Sequence, residues 1–337
     1  MAPTAPTGSG RDPRSLILTV TRACDLRCSY CPTAKDDWPS LSPGDAVLAV
    51  RLFAERYGGG EVKLFGGEPL LVPDVVEAVF EAAQELPAIR RVQLSTNGLG
   101  LDDRWLASLA ADPKSLLQIS IDGAADDHRR FRRSLPGVPD SYERLMALLP
   151  RLLTHPRLVV TQTIPPATAA RAAANFEHLR SLGFRRFNLL PGYYLPWSDR
   201  QLADLRAGFD AIGASFRAGW EAGDHLYLRN LFVRAPLPFF NSGLVVDADR
   251  TIHPANVGLS GQLDGLRGRT MVGTLDDPPS AEALAARSGE VGAMLREATD
   301  PRTWASTVAV DAELTRLCRS LYAEWAAWKK RGRSPAP

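Results

Sequence analysis

Six short runs rich in β-branched and apolar residues, each followed by helix-like spacing of apolar positions, constrain this fold most. The runs cover residues 15–20, 61–65, 91–95, 116–121, 158–164 and 186–190. Amphipathic stretches lie between them at residues 43–57, 75–86, 103–110, 141–153 and 169–182. Ser42 before Pro43, with Asp45 one turn on, reads as a helix start, and Gly58 to Gly60 as its end. Strand and helix in strict alternation pack as parallel βα units, an α/β fold. Six such units are too few for a closed eightfold barrel, which leaves an open partial barrel or a doubly wound sheet.

Beyond residue 190 the pattern changes. Residues 191–197 form a turn-rich aromatic loop containing Tyr193, Tyr194 and Trp197. Residues 198–222 read as a long helix. A hairpin is expected with one strand at 243–247 and its turn at 247–250. Residues 280–297 and 311–328 read as helices, the last with an apolar stripe of Leu314, Leu317, Cys318, Leu321, Tyr322, Trp325 and Trp328. The expected division is a disordered tail (1–14), a βα unit (15–197), a substrate-side extension (198–328) and a second tail (329–337). No solenoid-like repeat is present.

Composition narrows the function. A chain of 337 residues with 45% hydrophobic content has ample material for a core. Forty basic against 38 acidic residues leave a net charge of +2, which argues against a nucleic-acid partner. The basic run Lys329, Lys330, Arg331 and Arg333 reads as a solvated end. No run of about 18 apolar residues occurs, and residues 1–14 have no apolar core, so neither a membrane span, an anchor nor a signal segment is expected. Four cysteines exclude a disulfide-rich scaffold. Three of them, Cys24, Cys28 and Cys31, lie within eight positions, as metal or redox sites do in a reducing compartment; a cytoplasmic location follows as an expectation.

The cysteine cluster follows the first strand, at the end where βα proteins build their sites. Iron–sulfur clusters are held by thiolates, normally four. Three thiols therefore leave one iron open to an exchangeable ligand. Arg22 and Arg27 are placed to keep the thiolates ionised. A zinc site completed by a distant residue is the competing reading. Chance grouping of buried cysteines is a third.

Further motifs favour the first reading. Cys24-x-x-x-Cys28-x-Tyr30-Cys31 resembles the signature loop of radical S-adenosylmethionine (SAM) enzymes. Gly66-Gly67-Glu68-Pro69 after the second strand resembles the GGEP motif of that family. Residues 95–98, with Ser95 and Asn97, and residues 120–123, with Ser120 and Asp122, resemble its usual successors. His128-x-x-x-Arg132, followed by Ser141-Tyr142, resembles a stretch of the sulfatase-maturase and peptide-modifying branch.

The resemblance implies a partial (β/α)6 barrel with one [4Fe-4S] cluster on Cys24, Cys28 and Cys31. It implies SAM on the fourth iron, cleaved by one electron to a 5′-deoxyadenosyl radical that takes hydrogen from a substrate. A reductant such as flavodoxin or ferredoxin is implied as partner. Gly66 and Gly67 would let the backbone approach SAM, and Glu68 would accept from its ammonium or support the strand end. Ser120 and Arg132 would bind its carboxylate. Ser95, Asn97 and Asp122 would shape the ribose floor, and Leu189 or Leu190 would pack on adenine. Tyr30 and Pro69 complete the motif set. No residue is assigned a catalytic role.

The hairpin and the following residues resemble a SPASM-type extension, whose Pro is normally followed by Cys; here Pro254 is followed by Ala255. The expectation is a SPASM-like extension without auxiliary clusters, with Cys318 as a packing residue. Tyr193, Tyr194 and Trp197 are candidates for a substrate cleft, and His253 and Asp247 for substrate contact. The expected substrate is a ribosomal peptide or protein side chain, with a separate leader-peptide-binding protein as a possible partner. Alternatives are a small molecule (sugar, nucleoside or amino acid) and a non-catalytic metal-binding scaffold.

Overall fold

The computed structural model describes residues 14–35, 38–233 and 237–331. Strand β1 (Ser15–Thr21) is followed by the short β2 (Leu26–Cys28), α1 (Pro43–Arg56), β3 (Gly60–Gly66), α2 (Pro73–Glu85), β4 (Ile89–Thr96), α3 (Asp103–Ala111) and β5 (Ser115–Ser120). Next come α4 (Ala125–Phe131), the short β6 (Arg132–Ser134), α5 (Ser141–Ala147), α6 (Leu149–Thr154), β7 (Leu158–Ile164), α7 (Ala172–Ser181) and β8 (Arg186–Pro191). The rest comprises α8 (Asp199–Glu221), β9 (Tyr227–Leu228), β10 (Ser242–Val246), β11 (Thr251–Ala255), α9 (Asp264–Thr270), β12 (Gly273–Thr274), α10 (Ala281–Ala298) and α11 (Pro301–Arg331).

Strands β1, β3, β4, β5, β7 and β8 stand side by side in that order, all parallel. Parallel neighbours need a crossover, and the helices between them supply it. β7 is buried along its whole length, which is why its sequence is a continuous run rather than an alternation. Helix α1 starts where Ser42 Oγ accepts the Asp45 N–H at 3.1 Å. Helix α8 opens with a capping box between Ser198 and Gln201. Phe176 of α7, Phe187 of β8 and Phe216 of α8 pack ring to ring, each removing apolar surface worth roughly 1.5–3 kcal/mol.

The segment beyond residue 197 continues this sheet. β10 pairs parallel with β1 (Leu16 with Leu244, Leu18 with Val246), β11 and β12 add antiparallel, and β9 joins β8 at the other end. The sheet thus has ten strands with β12 and β9 as its edges. A second apolar cluster, including Phe240, Val257, Leu263, Leu266, Val291 and Leu295, supports the extension from below.

Several boundaries differ from expectation. The helix expected at 141–153 is broken between α5 and α6, where Pro150 brings no backbone N–H. The stretch at 169–182 begins as a 3₁₀ turn, Pro166–Arg171. The last helix starts ten residues early, because Asp300 caps it (Thr303 N–H to Oδ1, 3.0 Å) and Pro301 suits its first turn. That helix also runs to Arg331, three residues into the expected second tail. The expected tails otherwise fall on residues 1–13 and 332–337, outside the described residues. No described helix is long and apolar enough to cross a membrane.

Candidate active site

A cavity of about 530 Å³ lies at the C-terminal ends of the parallel strands. Cys24, Cys28, Tyr30 and Cys31 line it, together with Gly66, Gly67, Glu68 and Pro69 from the end of β3. Ser95 and Asn97 at the end of β4, Ser120 at the end of β5 and Arg132 complete this wall. Motifs spread over more than a hundred residues thus share one pocket: most lie at or just after the end of a strand of the same parallel sheet, and Arg132 comes from β6, which pairs with β2.

The cysteine loop is held from two sides. The Gly67 N–H donates to Thr21 O and the Glu68 N–H to Ala23 O, both at 2.8 Å. Gly66 has φ +135°, and a Cβ on Gly67 would lie 2.0 Å from Ala23 O. Both glycines are therefore demanded by the loop backbone, and both also line the cavity. On the other side β2 pairs antiparallel with β6, setting Cys28 opposite Arg132. Burial pushes the Cys24 thiol up to about 12 and raises that of Cys28. Lys35 opposes this at both, and Arg132 opposes it at Cys28.

Glu68 is fully enclosed. Its carboxylate accepts from Thr96 Oγ1 (2.7 Å), the Asn97 N–H (2.7 Å) and the Leu70 N–H (3.1 Å). It supports the strand ends, the second of its two expected roles. Burial pushes it up to about 7. Asn97 donates to Asp25 Oδ1 at 2.5 Å. Asp122 does not line the cavity: it accepts from Tyr30 Oη (2.5 Å), Arg132 Nη2 (3.0 Å) and the Thr163 N–H (3.1 Å). It ties the cysteine loop to Arg132 instead of forming a ribose floor. His128 Nε2 meets Ser141 Oγ at 2.9 Å, which explains the spacing of that motif.

The family model described as the radical SAM superfamily matches residues 18–207. The chain belongs to the radical SAM superfamily. Its members are enzymes that use a [4Fe-4S] cluster and S-adenosylmethionine. Among curated relatives, GTP 3′,8-cyclase of Chlorobaculum tepidum is 35% identical over 154 residues, 45% of this chain and 44% of that protein. Molybdenum cofactor biosynthesis protein 1 of Bos taurus is 36% identical over 120 residues, 34% of this chain and 18% of that protein. The chain thus spans less than half the length of these relatives. Among solved structures, anSMEcpe with bound AdoMet superposes with TM-score 0.73 at 14% identity, covering 93% of this chain and 99% of that one. Streptococcus suis SuiB bound to precursor peptide SuiA gives 0.60 at 14% identity, covering 87% and 66%. These likenesses show the fold.

The residues present fit the radical SAM cofactors. Three thiols supply three iron ligands and leave a fourth position. Arg132 Nε is buried without a partner on the same wall as Ser120, as a site for a carboxylate requires. The family match, and not ligand geometry, decides against the zinc alternative.

Other expectations are corrected. Leu189 is wholly buried in the core, and Leu190 lines the cavity; adjacent strand residues face opposite ways. Arg22 turns away from the thiols to Asp247 Oδ2 (2.5 Å) and Gly258 O (3.0 Å), and stacks on Trp38. Asp247 is thereby a buried partner, not a substrate contact. His253 lies between Thr251 and Thr270 hydroxyls, at 2.9 and 3.1 Å, and is buried. Cys318 packs on the main core. Trp197 is buried with its Nε1 on Gly192 O, whereas Tyr193 and Tyr194 line the cavity and also anchor to Asp311 and Thr307 of α11.

Sequence reasoning missed Thr161 and Thr163, which the two-residue period of β7 could have placed beside Ser120. It also missed Lys35, and Phe239, Phe240, Asn256, Leu259 and Thr299 from the extension, which carry no local motif.

Proposed function

We propose that this radical SAM enzyme takes hydrogen from a small organic molecule of sugar, nucleoside or amino-acid size. The carrying observation is the far wall of the cavity. There the extension brings Phe239, Phe240, Leu259 and Leu263 over the strand ends, facing Tyr193 and Tyr194. A volume of about 530 Å³, shared with the cofactors, suits a small substrate. The sequence likeness to GTP 3′,8-cyclases, proteins named for a small substrate, supports this reading. Among the described residues the basic side chains on the wall are Lys35 and Arg132; the first donates to Leu26 O and the second to Asp122.

When bound, the cluster on Cys24, Cys28 and Cys31 and its SAM supply the radical that removes a hydrogen atom. This chain's own residues hold, orient and shield. Arg132, Ser120 and Thr163 offer polar groups to a carboxylate. Leu190 and the aromatic wall exclude water. Asn256 Oδ1 accepts the Asn241 N–H at 2.9 Å, which fixes its amide and leaves the Nδ2 hydrogens for a substrate oxygen. In Asn256→Asp that donor becomes an acceptor. KM for the substrate should rise about tenfold or more, at the cost of one lost hydrogen bond with a charged mismatch, while uncoupled 5′-deoxyadenosine formation is unchanged.

The peptide reading is favoured by one observation: the fold likeness covers 93% of the chain in a structure of anSMEcpe with bound AdoMet and a peptide. A separate leader-binding protein belongs to that reading. The deciding experiment adds fractions of producer-cell extract to the reconstituted enzyme and measures 5′-deoxyadenosine. Stimulation by the small-metabolite filtrate is expected. Stimulation confined to a peptide or protein fraction would overturn the proposal.

A further inference from the structure

On β4, Val92 and Leu94 belong to the main apolar core, so Gln93 and Ser95 point to the opposite face of the sheet. Ser95 lines the cavity, and Gln93, one side-chain layer below it, is buried. Gln93 Nε2 donates to Ser95 Oγ at 2.9 Å, and Gln93 Oε1 accepts from Arg229 Nη2 at 2.7 Å. Arg229 is buried as well. It comes from the extension, in the 3₁₀ turn Arg229–Leu231 that follows β9, and also donates to Glu61 Oε1 at 3.3 Å.

These bonds have a fixed direction. A guanidinium only donates, so the oxygen of the Gln93 amide must face Arg229 and its NH2 must face Ser95. Ser95 Oγ therefore accepts, and its own proton remains to be given away. Among the described residues no acceptor takes that proton. The cavity is the space into which it can donate.

The surroundings of Ser95 are polar but uncharged. Its register partner on β5 is Gln118, which lines the cavity with an amide that has no hydrogen-bond partner among the described residues. Phe65 lines the cavity from β3. Lys35 and Arg132, the basic side chains of the wall, are held by Leu26 O and Asp122. Depth also separates Ser95 from the groups that would hold the SAM carboxylate. Ser95 is level with Gln118, and Ser120 stands two residues further along β5, roughly 6–7 Å nearer the strand ends. A hydroxyl committed to donating, beside a free amide and without a cation, suits an uncharged oxygen.

We propose that Ser95 donates to an uncharged carbonyl or hydroxyl oxygen of the substrate, and that Gln93 and Arg229 are positioning residues that hold the hydroxyl in this sense. The assignment rests on the small-molecule function proposed above and adds to it the kind of group the cavity floor reads. It also gives the extension a part in recognition through Arg229, which does not line the cavity.

The test uses reconstituted enzyme and a dilution series of the small-metabolite filtrate, with 5′-deoxyadenosine as the readout. In Gln93→Glu the side chain keeps its shape and its partner Arg229. Both oxygens of the new carboxylate only accept, so the Ser95 proton turns to it and away from the cavity. Ser95→Ala deletes the hydroxyl without touching Arg229 or Gln93, and serves if the carboxylate disturbs the fold. Each variant should need about tenfold more filtrate for half-maximal stimulation, the effect of one lost hydrogen bond. The double variant should need no more than Ser95→Ala alone, because Gln93 acts only through that hydroxyl. SAM binding by equilibrium dialysis should match the wild type in all three. An unchanged half-maximal dose in Ser95→Ala overturns the proposal, and so do effects that multiply in the double variant. A parallel loss of SAM binding in Ser95→Ala also overturns it, since the hydroxyl would then serve the ribose of SAM. A filtrate that fails to stimulate the wild type overturns the small-molecule function itself, and this role of Ser95 with it.

Discussion

Gly67→Ala tests whether the GGEP segment serves the cysteine loop, as the structure indicates. The added Cβ would stand 2.0 Å from Ala23 O, 2.5 Å from Arg22 O and 2.6 Å from Ala23 C. All of these are backbone atoms, so no side chain can rotate away. Ordinary contact begins at 3.4 Å, so the strand end and the loop must separate by more than an ångström. Overpacking of this kind costs about 1–3 kcal/mol. The same movement breaks the hydrogen bonds from Gly67 N to Thr21 O and from Glu68 N to Ala23 O, each worth about 1 kcal/mol. The expected loss is about 3–5 kcal/mol, read from urea unfolding of the apo-protein, with a fall in iron retained after reconstitution because Cys24 begins the displaced loop. Gly289→Ala is the control. It lies within α10 with nothing within 4 Å of the new Cβ, and should gain about 0.5–1 kcal/mol. A Gly67→Ala protein that unfolds within 1 kcal/mol of wild type, in the sense of that same scale, and keeps its iron would refute the reasoning.

Three other outcomes are expected. Arg132→Gln leaves Asp122 buried with Tyr30 and Thr163 alone, which should cost about 3–5 kcal/mol in chemical unfolding and weaken SAM binding by equilibrium dialysis; unchanged values for both would remove Arg132 from the site. Reconstituted wild type should hold about four iron atoms per chain, and Cys28→Ala should lose the cluster and 5′-deoxyadenosine formation together; about eight iron atoms would reveal a second cluster. His128, His155 and His253 are each pushed down by burial from 6.5 to about 4. In that window the unfolded chain binds protons that the folded chain does not. Stability should therefore be complete above pH 6.5 and fall towards pH 4, by up to about 1.4 kcal/mol per pH unit for each histidine. A urea midpoint that does not move on acidification through this window would contradict their neutral burial.

The core βα order and most of the site were legible because both are written locally. A strand and its crossover helix are neighbours in sequence, and each motif sits at the end of its own strand. Cys24, Glu68 and Ser120 could be placed in one pocket for that reason, and Arg132 through the spacing of its motif from His128. Errors came where a short-range rule was asked a long-range question. Arg22 looked like a thiolate partner because it is two residues from Cys24, but its carboxylate is Asp247, 225 positions away. Leu189 and Leu190 are equivalent as composition and opposite as geometry, because one faces the core and the other the cavity. The β2–β6 ribbon was invisible: three-residue strands leave no periodicity to read.

By itself, the amino-acid sequence determined the radical SAM chemistry of this chain, through three thiols at a spacing no packing rule requires and motifs repeated at successive strand ends. It also determined the parallel core, since alternating β-branched runs and amphipathic stretches bury their apolar faces in few other ways. The tertiary structure alone decided what stands around that chemistry. It joined β10 to β1, brought Phe239, Phe240, Leu259 and Leu263 to the wall of the cavity that the thiols line, and set Arg27 against Arg133 beside Cys28. Those contacts link segments up to more than two hundred residues apart. They arise from shared burial and complementary shape, which no local pattern of residues encodes.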